Sequence, residues 1–374
     1  MSTIQTLIIG AGPAGLATAA RLRKANLDFT IIEQSQHVGN AWRNHYDRLH
    51  LHTVKEWSHL PHLPFPEDYP RYVSRQQLVD YMVNYAQHFD IKPKHGVEVL
   101  TIKKAGDNWK AITKSGETFL AKNIIVATGV NRTPKVPTWR GQTDFKGKIE
   151  HSRTYKNPKP YLDKRVLVVG IGNTGAEIAL DLSEHGVETT IVARGEISLV
   201  PRDLNGRPVQ VTGKQLEKLP FGLGDWLGAQ IRKVYFGDLS KYGLKMSKES
   251  PTKLLRETGK TPLIDLGTIA AIKVGKIKVV GDIDYFTKTG VTFKEEGYRE
   301  FDAVILATGY AAKIEELVEN GVNLLDNYGC TKSPIGPDFH EGLYFVGFDN
   351  YKTGGILGTI FQDSETVVRA ILKD

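Results

Sequence analysis

A chain of 374 residues, 40% hydrophobic and 24% charged, has room for two or three domains with sizeable cores and shows no compositional sign of disorder. Its formal net charge of +7 comes from lysines and arginines interleaved with acids along the whole length, which points to anionic small molecules and away from nucleic acid. A single cysteine, Cys330, excludes an intrachain disulfide framework.

The apolar N-terminal stretch has no basic residue before it and contains Gly10, Gly12, Pro13 and Gly15, so it reads as a phosphate turn and not as a leader. No apolar run is long enough to span a bilayer, and the expectation is a cytoplasmic protein without a membrane partner. Residues 4–9 read as a buried strand. Gly10-Ala11-Gly12-Pro13-Ala14-Gly15 then matches G-x-G-x-x-G and leads into an alanine-rich helix over residues 16–24. In that motif the first glycine allows the tight turn, the second lets the backbone approach a pyrophosphate, and the third lets helix and strand pack closely. The next strand, "FTIIEQ" (29–34), ends with Glu33, 18 residues beyond Gly15 (33 − 15). An acid there accepts hydrogen bonds from ribose hydroxyls and repels a 2′-phosphate, so this first cradle suits FAD or NAD.

The histidines at 45, 50, 52, 59 and 62 lie among aromatic residues and prolines, with no cysteine and few spaced carboxylates beside them, and no metal site is expected. "IIVATGV" (124–130) reads as a buried strand ending in Ala127-Thr128-Gly129. A second strand–turn–helix follows: residues 165–169, then Gly170-Ile171-Gly172-Asn173-Thr174-Gly175, then a helix over 176–184. Its next strand, "TTIVARG" (189–195), ends in Arg194 where the first ends in Glu33. A guanidinium pairs with a 2′-phosphate, which favours NADP, although Gly195 brings no hydroxyl as a second ligand. Residues 205–250 read as an amphipathic helical cap. "VILATGY" (304–310) repeats the strand ending in Ala307-Thr308-Gly309, and "LYFVGFD" (343–349) is a further apolar strand.

This order implies an α/β fold of two nested Rossmann-like dinucleotide-binding domains: an FAD domain over 1–159 and 300–374, and an inserted NADPH domain over 160–299 that carries the cap. Two cradles in one chain imply hydride transfer from nicotinamide to flavin. Cys330 alone cannot supply a redox disulfide, and there is no G-x-S-x-G elbow. The remaining acceptors are oxygen, a quinone or a carrier protein.

The stretch "FKGKIEHSRTYK" (145–156) narrows the choice. Phe145-x-Gly147-x-x-x-His151-x-x-x-Tyr155, directly upstream of the second glycine turn, resembles the fingerprint of flavin-containing monooxygenases. Baeyer–Villiger relatives usually end it with tryptophan, so Tyr155 weighs against that branch. The likeness covers nearly the whole chain and resembles the YUCCA-like branch at residues 46–70, in "KYGLKMSKESP" (241–251), in "GKTPLIDLGTI" (259–269) and in "VILATGY". One departure is Gly39-Asn40, where the family has adjacent glycines; an asparagine tolerates the positive φ that such a turn asks for.

The resemblance implies a class B flavoprotein monooxygenase with FAD and NADPH, NADH serving less well. Reduced flavin would trap molecular oxygen as a C4a-(hydro)peroxide and pass one atom to a small organic substrate while NADP⁺ stays bound. The reaction would be oxidative decarboxylation of indole-3-pyruvate or a similar 2-oxo acid, or S- or N-oxygenation. Beside the first turn, the implied FAD contacts are Glu33, Gln34, Trp42, His52, Thr53, Val99 and Ala127 to Gly129; the NADP contacts are the second turn, Arg194 and Ala307 to Gly309. His52 and Lys55 are candidate partners of a substrate carboxylate, each with a structural alternative. Asn173 is a candidate to position nicotinamide or peroxide, with an ordinary turn role as the alternative. His151 is expected to fix a linker and take no part in chemistry. The competing function is an NADPH oxidase or diaphorase without productive oxygen transfer, and a nucleotide sensor without turnover ranks last. The protein is expected as a monomer or homodimer.

Overall fold

The computed structural model describes residues 3–216, 218–220, 222–352 and 354–373, and the chain divides into two compact units. The first comprises Met1–Asn44, Thr53–Thr133 and Tyr310–Asp374. Its parallel strands run in the spatial order Lys94–His95, Thr30–Glu33, Ile4–Ile9, Thr118–Val126, Leu343–Phe345. Leu7, Ile8 and Ile9 are all buried, as a strand covered on both faces requires. The N-terminal half of Thr118–Val126 instead pairs antiparallel with Asn108–Thr113, which pairs with Val99–Ala105. Helices Pro13–Lys24 and Gly355–Ile371 pack together. The core centres on Leu7, Ile32, Trp109, Ile124, Val126 and Phe345.

The second unit comprises His45–His52 and Pro134–Gly309. It repeats the plan: a parallel sheet in the order Ile277–Val280, Glu188–Val192, Arg165–Val169, Ala303–Leu306, Lys148–His151, followed by an antiparallel ribbon of Ile283–Phe286, Gly290–Phe293 and Gly297–Glu300. Each nucleotide helix, Pro13–Lys24 or Asn173–Glu184, begins on the residue after a motif glycine that extends the backbone, Gly12 or Gly172.

The unit boundaries fall elsewhere than the sequence expectation of 160 and 299. Strand Lys148–His151 takes Ala303–Leu306 as its parallel partner, which draws residues 134–159 and 300–309 into the second unit. Residues 45–52 join it as well, although the chain on either side belongs to the first. The expected cap contains helices Val209–Leu216 and Leu223–Phe236, with Glu217 and Phe221 outside the described residues. Among the described residues no helix is long and apolar enough to cross a membrane.

Candidate functional site

The two glycine turns have the same geometry. Gly10 has φ +110°, and a Cβ added there would lie 2.5 Å from the Ala127 carbonyl oxygen. A Cβ at Gly15 would lie 1.9 Å from the Gly10 oxygen. In the second turn Gly170 has φ +109° with Ala307 O at 2.7 Å, and Gly175 would meet Gly170 O at 1.9 Å. These four glycines are demanded by the fold itself. The central ones are not: a Cβ on Gly12 or Gly172 meets nothing within 4 Å, and both have ordinary φ values, −82° and −77°.

Space left open at the middle glycine faces a helix end with no side-chain cap and no acid in its first turn, in both units. Uncapped N–H groups and the positive end of the helix dipole make such an end a diphosphate site. The neighbouring Thr128 hydroxyl is buried and has no hydrogen-bond partner among the described residues. Each of these observations fits a dinucleotide in the cradle.

Glu33 is 8% exposed. Its Oε2 accepts from Ala11 N at 2.8 Å and its Oε1 from Ser35 N at 2.9 Å, so the acid is fixed at the mouth of the first turn. Val99 and Ala127 are buried, Trp42, Thr53 and Gly129 half-buried, and Gln34 exposed. The Thr53 hydroxyl shares a 2.7 Å bond with Ser58. Arg194 in the second unit is exposed at the end of its strand. The Gly39-Asn40 departure resolves simply: Gly39 alone takes positive φ, +66°, and Asn40 opens a short helix, Asn40–Arg43.

Every residue of the fingerprint has a mechanical task within the second unit. The Phe145 ring lies over Gly147, where a Cβ would sit 2.5 Å from it, so only glycine fits beneath. His151 Nε2 lies 3.1 Å from the Gly309 carbonyl, while Arg153 N donates to Nδ1 at 3.1 Å, which puts the proton on Nε2. That bond holds the Ala307-Thr308-Gly309 turn, and from the same turn the Thr308 hydroxyl donates to the carbonyl of Lys135, far away in sequence. Tyr155, 1% exposed, donates to Asp181 Oδ2 at 2.7 Å.

His52 lies with the second unit, its Nε2 3.3 Å from Oε2 of Glu177, and Tyr46 donates to that same oxygen at 2.6 Å. Lys55 belongs to the first unit, and its ammonium donates to the carbonyls of Glu67 and Tyr69, both at 2.7 Å. Two of its three N–H bonds are therefore committed to a chain turn, and the geometry favours the structural alternative over a substrate contact. Asn173 is likewise occupied: Nδ2 donates to Pro262 O at 3.0 Å and Oδ1 accepts from Ile264 N at 2.7 Å. Its amide ties the second turn to strand Leu263–Asp265, which favours the turn role over contact with nicotinamide.

Sequence reasoning missed Tyr46, Arg48, Glu177 and Asp181. The signal was present, since in "AEIALDLSE" the acids Glu177 and Asp181, four residues apart, stand among apolar neighbours.

Paired glycine cradles, each a strand, turn and helix on a parallel sheet, are the arrangement of a protein that binds two dinucleotides. Residues 4–330 match the family described as flavin-binding monooxygenase-like. The chain is 38% identical to the indole-3-pyruvate monooxygenase YUCCA1 of Oryza sativa subsp. japonica, an alignment that covers 94% of this chain and 88% of the relative. Its fold is similar to that of a flavin-containing monooxygenase from Stenotrophomonas maltophilia, with a TM-score of 0.76 at 21% identity over 100% of this chain and 99% of that one. A steroid monooxygenase bound to NADP gives a TM-score of 0.75 at 16% identity, covering 100% of this chain and 86% of that one. The chain belongs to the flavin-binding monooxygenase-like family and is a flavin-dependent monooxygenase.

Proposed function

We propose that the first unit holds FAD, that the second holds NADPH, and that the enzyme converts indole-3-pyruvate or a closely similar 2-oxo acid to the acid one carbon shorter. Per turnover, 2-oxo acid, O₂, NADPH and H⁺ become carboxylic acid, CO₂, H₂O and NADP⁺, so atoms and electrons balance. Bound flavin supplies the hydride acceptor and the oxygen activation. The chain supplies the rest. Gly10, Gly12, Pro13, Ala14 and Gly15 set the first diphosphate against a helix end, and Glu33 takes the ribose. Gly170, Gly172, Thr174 and Gly175 set the second, and Arg194 faces the 2′-phosphate. Oxygen transfer further demands that water be kept away from the reacting atoms.

The observation that carries the reading is the pair of matching cradles with opposite charge at their strand ends, Glu33 in one and Arg194 in the other. The choice of a 2-oxo acid draws on the likeness to the rice enzyme. The test is stoichiometry. Purified protein loaded with FAD is given NADPH and indole-3-pyruvate in air, and indole-3-acetate, NADP⁺ and H₂O₂ are quantified together. About one acetate per NADPH, with little peroxide, supports the proposal. Consumption of NADPH that returns wholly as H₂O₂ points to the oxidase reading. Coupled oxygenation of a thioether or amine with no turnover of the keto acid moves the substrate class.

A further inference from the structure

Beyond strand Leu343–Phe345 the chain of the first unit passes the first glycine turn. Gly347 has φ +81°, and a Cβ there would lie 3.7 Å from that of Ala14 and 2.8 Å from the Ile360 side chain. Further on, Gly355 opens helix Gly355–Ile371, and a Cβ there would lie 2.9 Å from Cγ2 of Thr53, one of the implied flavin contacts. The two ends of residues 347–355 thus touch the diphosphate turn and an implied flavin contact, all within the first unit.

A buried acid fixes this stretch. Asp363, on helix Gly355–Ile371 and 2% exposed, accepts from Gly347 N at 3.1 Å through Oδ2 and from the Lys352 ammonium at 3.1 Å through Oδ1. The same ammonium reaches Asp349 at 3.1 Å. Burial pushes the Asp363 carboxyl above its ordinary value, while the Gly347 N–H and the Lys352 charge pull it back. Tyr351 N donates to Asp349 Oδ1 at 2.8 Å, and its hydroxyl donates to Asp326, whose other oxygen accepts from Tyr328 N and Cys330 N. A carboxylate buried this deeply is tolerated only while its donors stay in place, so Gly347 and Lys352 are held together. Neither bond belongs to the sheet ladder or to the backbone of the helix. The acid sets where the chain passes the cradle.

We propose that Asp363 is a positioning residue for the flavin, holding through Gly347 and Lys352 the stretch that borders the first cradle. The proposal rests on the reading above that the first unit takes FAD. Without the carboxylate the Gly347 N–H loses its acceptor, and residues 347–352 are free to shift away from Ala14. FAD is then held less tightly, while the second cradle keeps its own contacts.

The test follows release of FAD from the holoenzyme on dilution, read by the fluorescence of free flavin. The visible circular dichroism of the flavin that stays bound and the Kd for NADP⁺ are measured beside it. For Asp363→Ala we expect a Kd for FAD raised about tenfold or more, a changed dichroism, and a Kd for NADP⁺ within about twofold of wild type. Asp363→Asn still accepts from Gly347 N, and Lys352 retains Asp349, so this variant recovers part of the affinity and of the dichroism. Lys352→Met alters a half-exposed side chain and weakens FAD in the same direction. Adding Asp363→Asn to it costs nothing further, because the acid has already lost its charged partner. Should Asp363→Ala fail to fold, Lys352→Met carries the same expectation. Gly12→Ala is measured alongside. If it releases FAD while Asp363→Ala and Lys352→Met hold FAD as wild type does, with unchanged dichroism, the proposal is overturned. Equal weakening of FAD and NADP⁺ in Asp363→Ala overturns it as well, since that marks a general loss of structure. FAD held unchanged by Gly12→Ala overturns the parent reading instead.

Discussion

The six motif glycines look alike in the sequence, yet the structure separates them into two kinds. Gly10, Gly15, Gly170 and Gly175 are held by backbone contacts of 1.9–2.7 Å to a would-be Cβ, whereas Gly12 and Gly172 face open space. Gly175→Ala should therefore prevent stable folding of the second unit, seen as loss of cooperative melting. Asn173 and Lys55 sort in the same way. Asn173→Ala strips the Ile264 amide of its acceptor, at a cost of about 1–3 kcal/mol. Asn173→Asp keeps that acceptor but sets a carboxylate oxygen against the Pro262 carbonyl, so it should recover only part of the loss in denaturant titrations. A drop in kcat for Asn173→Asp at undiminished stability would instead return the residue to the chemistry. Lys55→Ala should lower stability by about 1–3 kcal/mol and leave KM for the keto acid unchanged. A rise in that KM at constant stability would reinstate Lys55 as a carboxylate partner.

Among the elements, the fingerprint segment behaves as a brace. Its histidine holds the Ala307-Thr308-Gly309 turn, and its tyrosine holds the side of helix Asn173–Glu184. Burial pushes the His151 imidazole below its ordinary value, although the bond to the Gly309 carbonyl pulls the other way. The folded protein thus favours the neutral ring. As pH falls, the unfolded chain takes up this proton first, near its ordinary value of 6.5, so the contribution to stability is intact above that pH and lost towards the folded value. Melting temperature should fall between pH 7.5 and 5.5, and fall less in His151→Gln, which retains a donor for Gly309. Parallel slopes for the two proteins would remove His151 from the account.

For the whole molecule, the question is whether two cradles in one chain load independently. A Cβ at Gly12 or Gly172 disturbs nothing within 4 Å, so either alanine variant should melt within about 0.5 kcal/mol of wild type when free of cofactor. A ligand at about one hundred times its Kd stabilises by about 2.7 kcal/mol. Gly12→Ala should abolish that gain for FAD alone, and Gly172→Ala for NADP⁺ alone, as measured by thermal shift. Loss of both gains in one variant would refute separate cradles. Arg194→Ala should raise KM for NADPH about tenfold or more and leave NADH nearly unaffected, because one charge-assisted contact is worth about 1.5–3 kcal/mol. Equal effects on both nucleotides would take the 2′-phosphate away from Arg194.

Both cradles, their different charges and the fingerprint were legible in the amino-acid order, because a strand, a glycine turn and a helix are local events set by apolar runs and by residues that alone fit a tight turn. The duplicated plan followed from them. Where the units divide was not legible: strand Lys148–His151 could pair with either sheet until tertiary contact with Ala303–Leu306 decided it. Nor was the fate of the candidate side chains. Lys55, Asn173 and His52 are polar groups by composition, and only the packed chain shows which is held by carbonyls, which by a carbonyl and an amide together and which by a buried acid. Glu177 and Asp181 stood in the sequence as two acids among apolar neighbours, and their partners lie some 130 residues earlier, at Tyr46 and Arg48. Local chemistry determined the two glycine turns and the charges at their strand ends; long-range packing decided which of the candidate side chains are already committed to the fold.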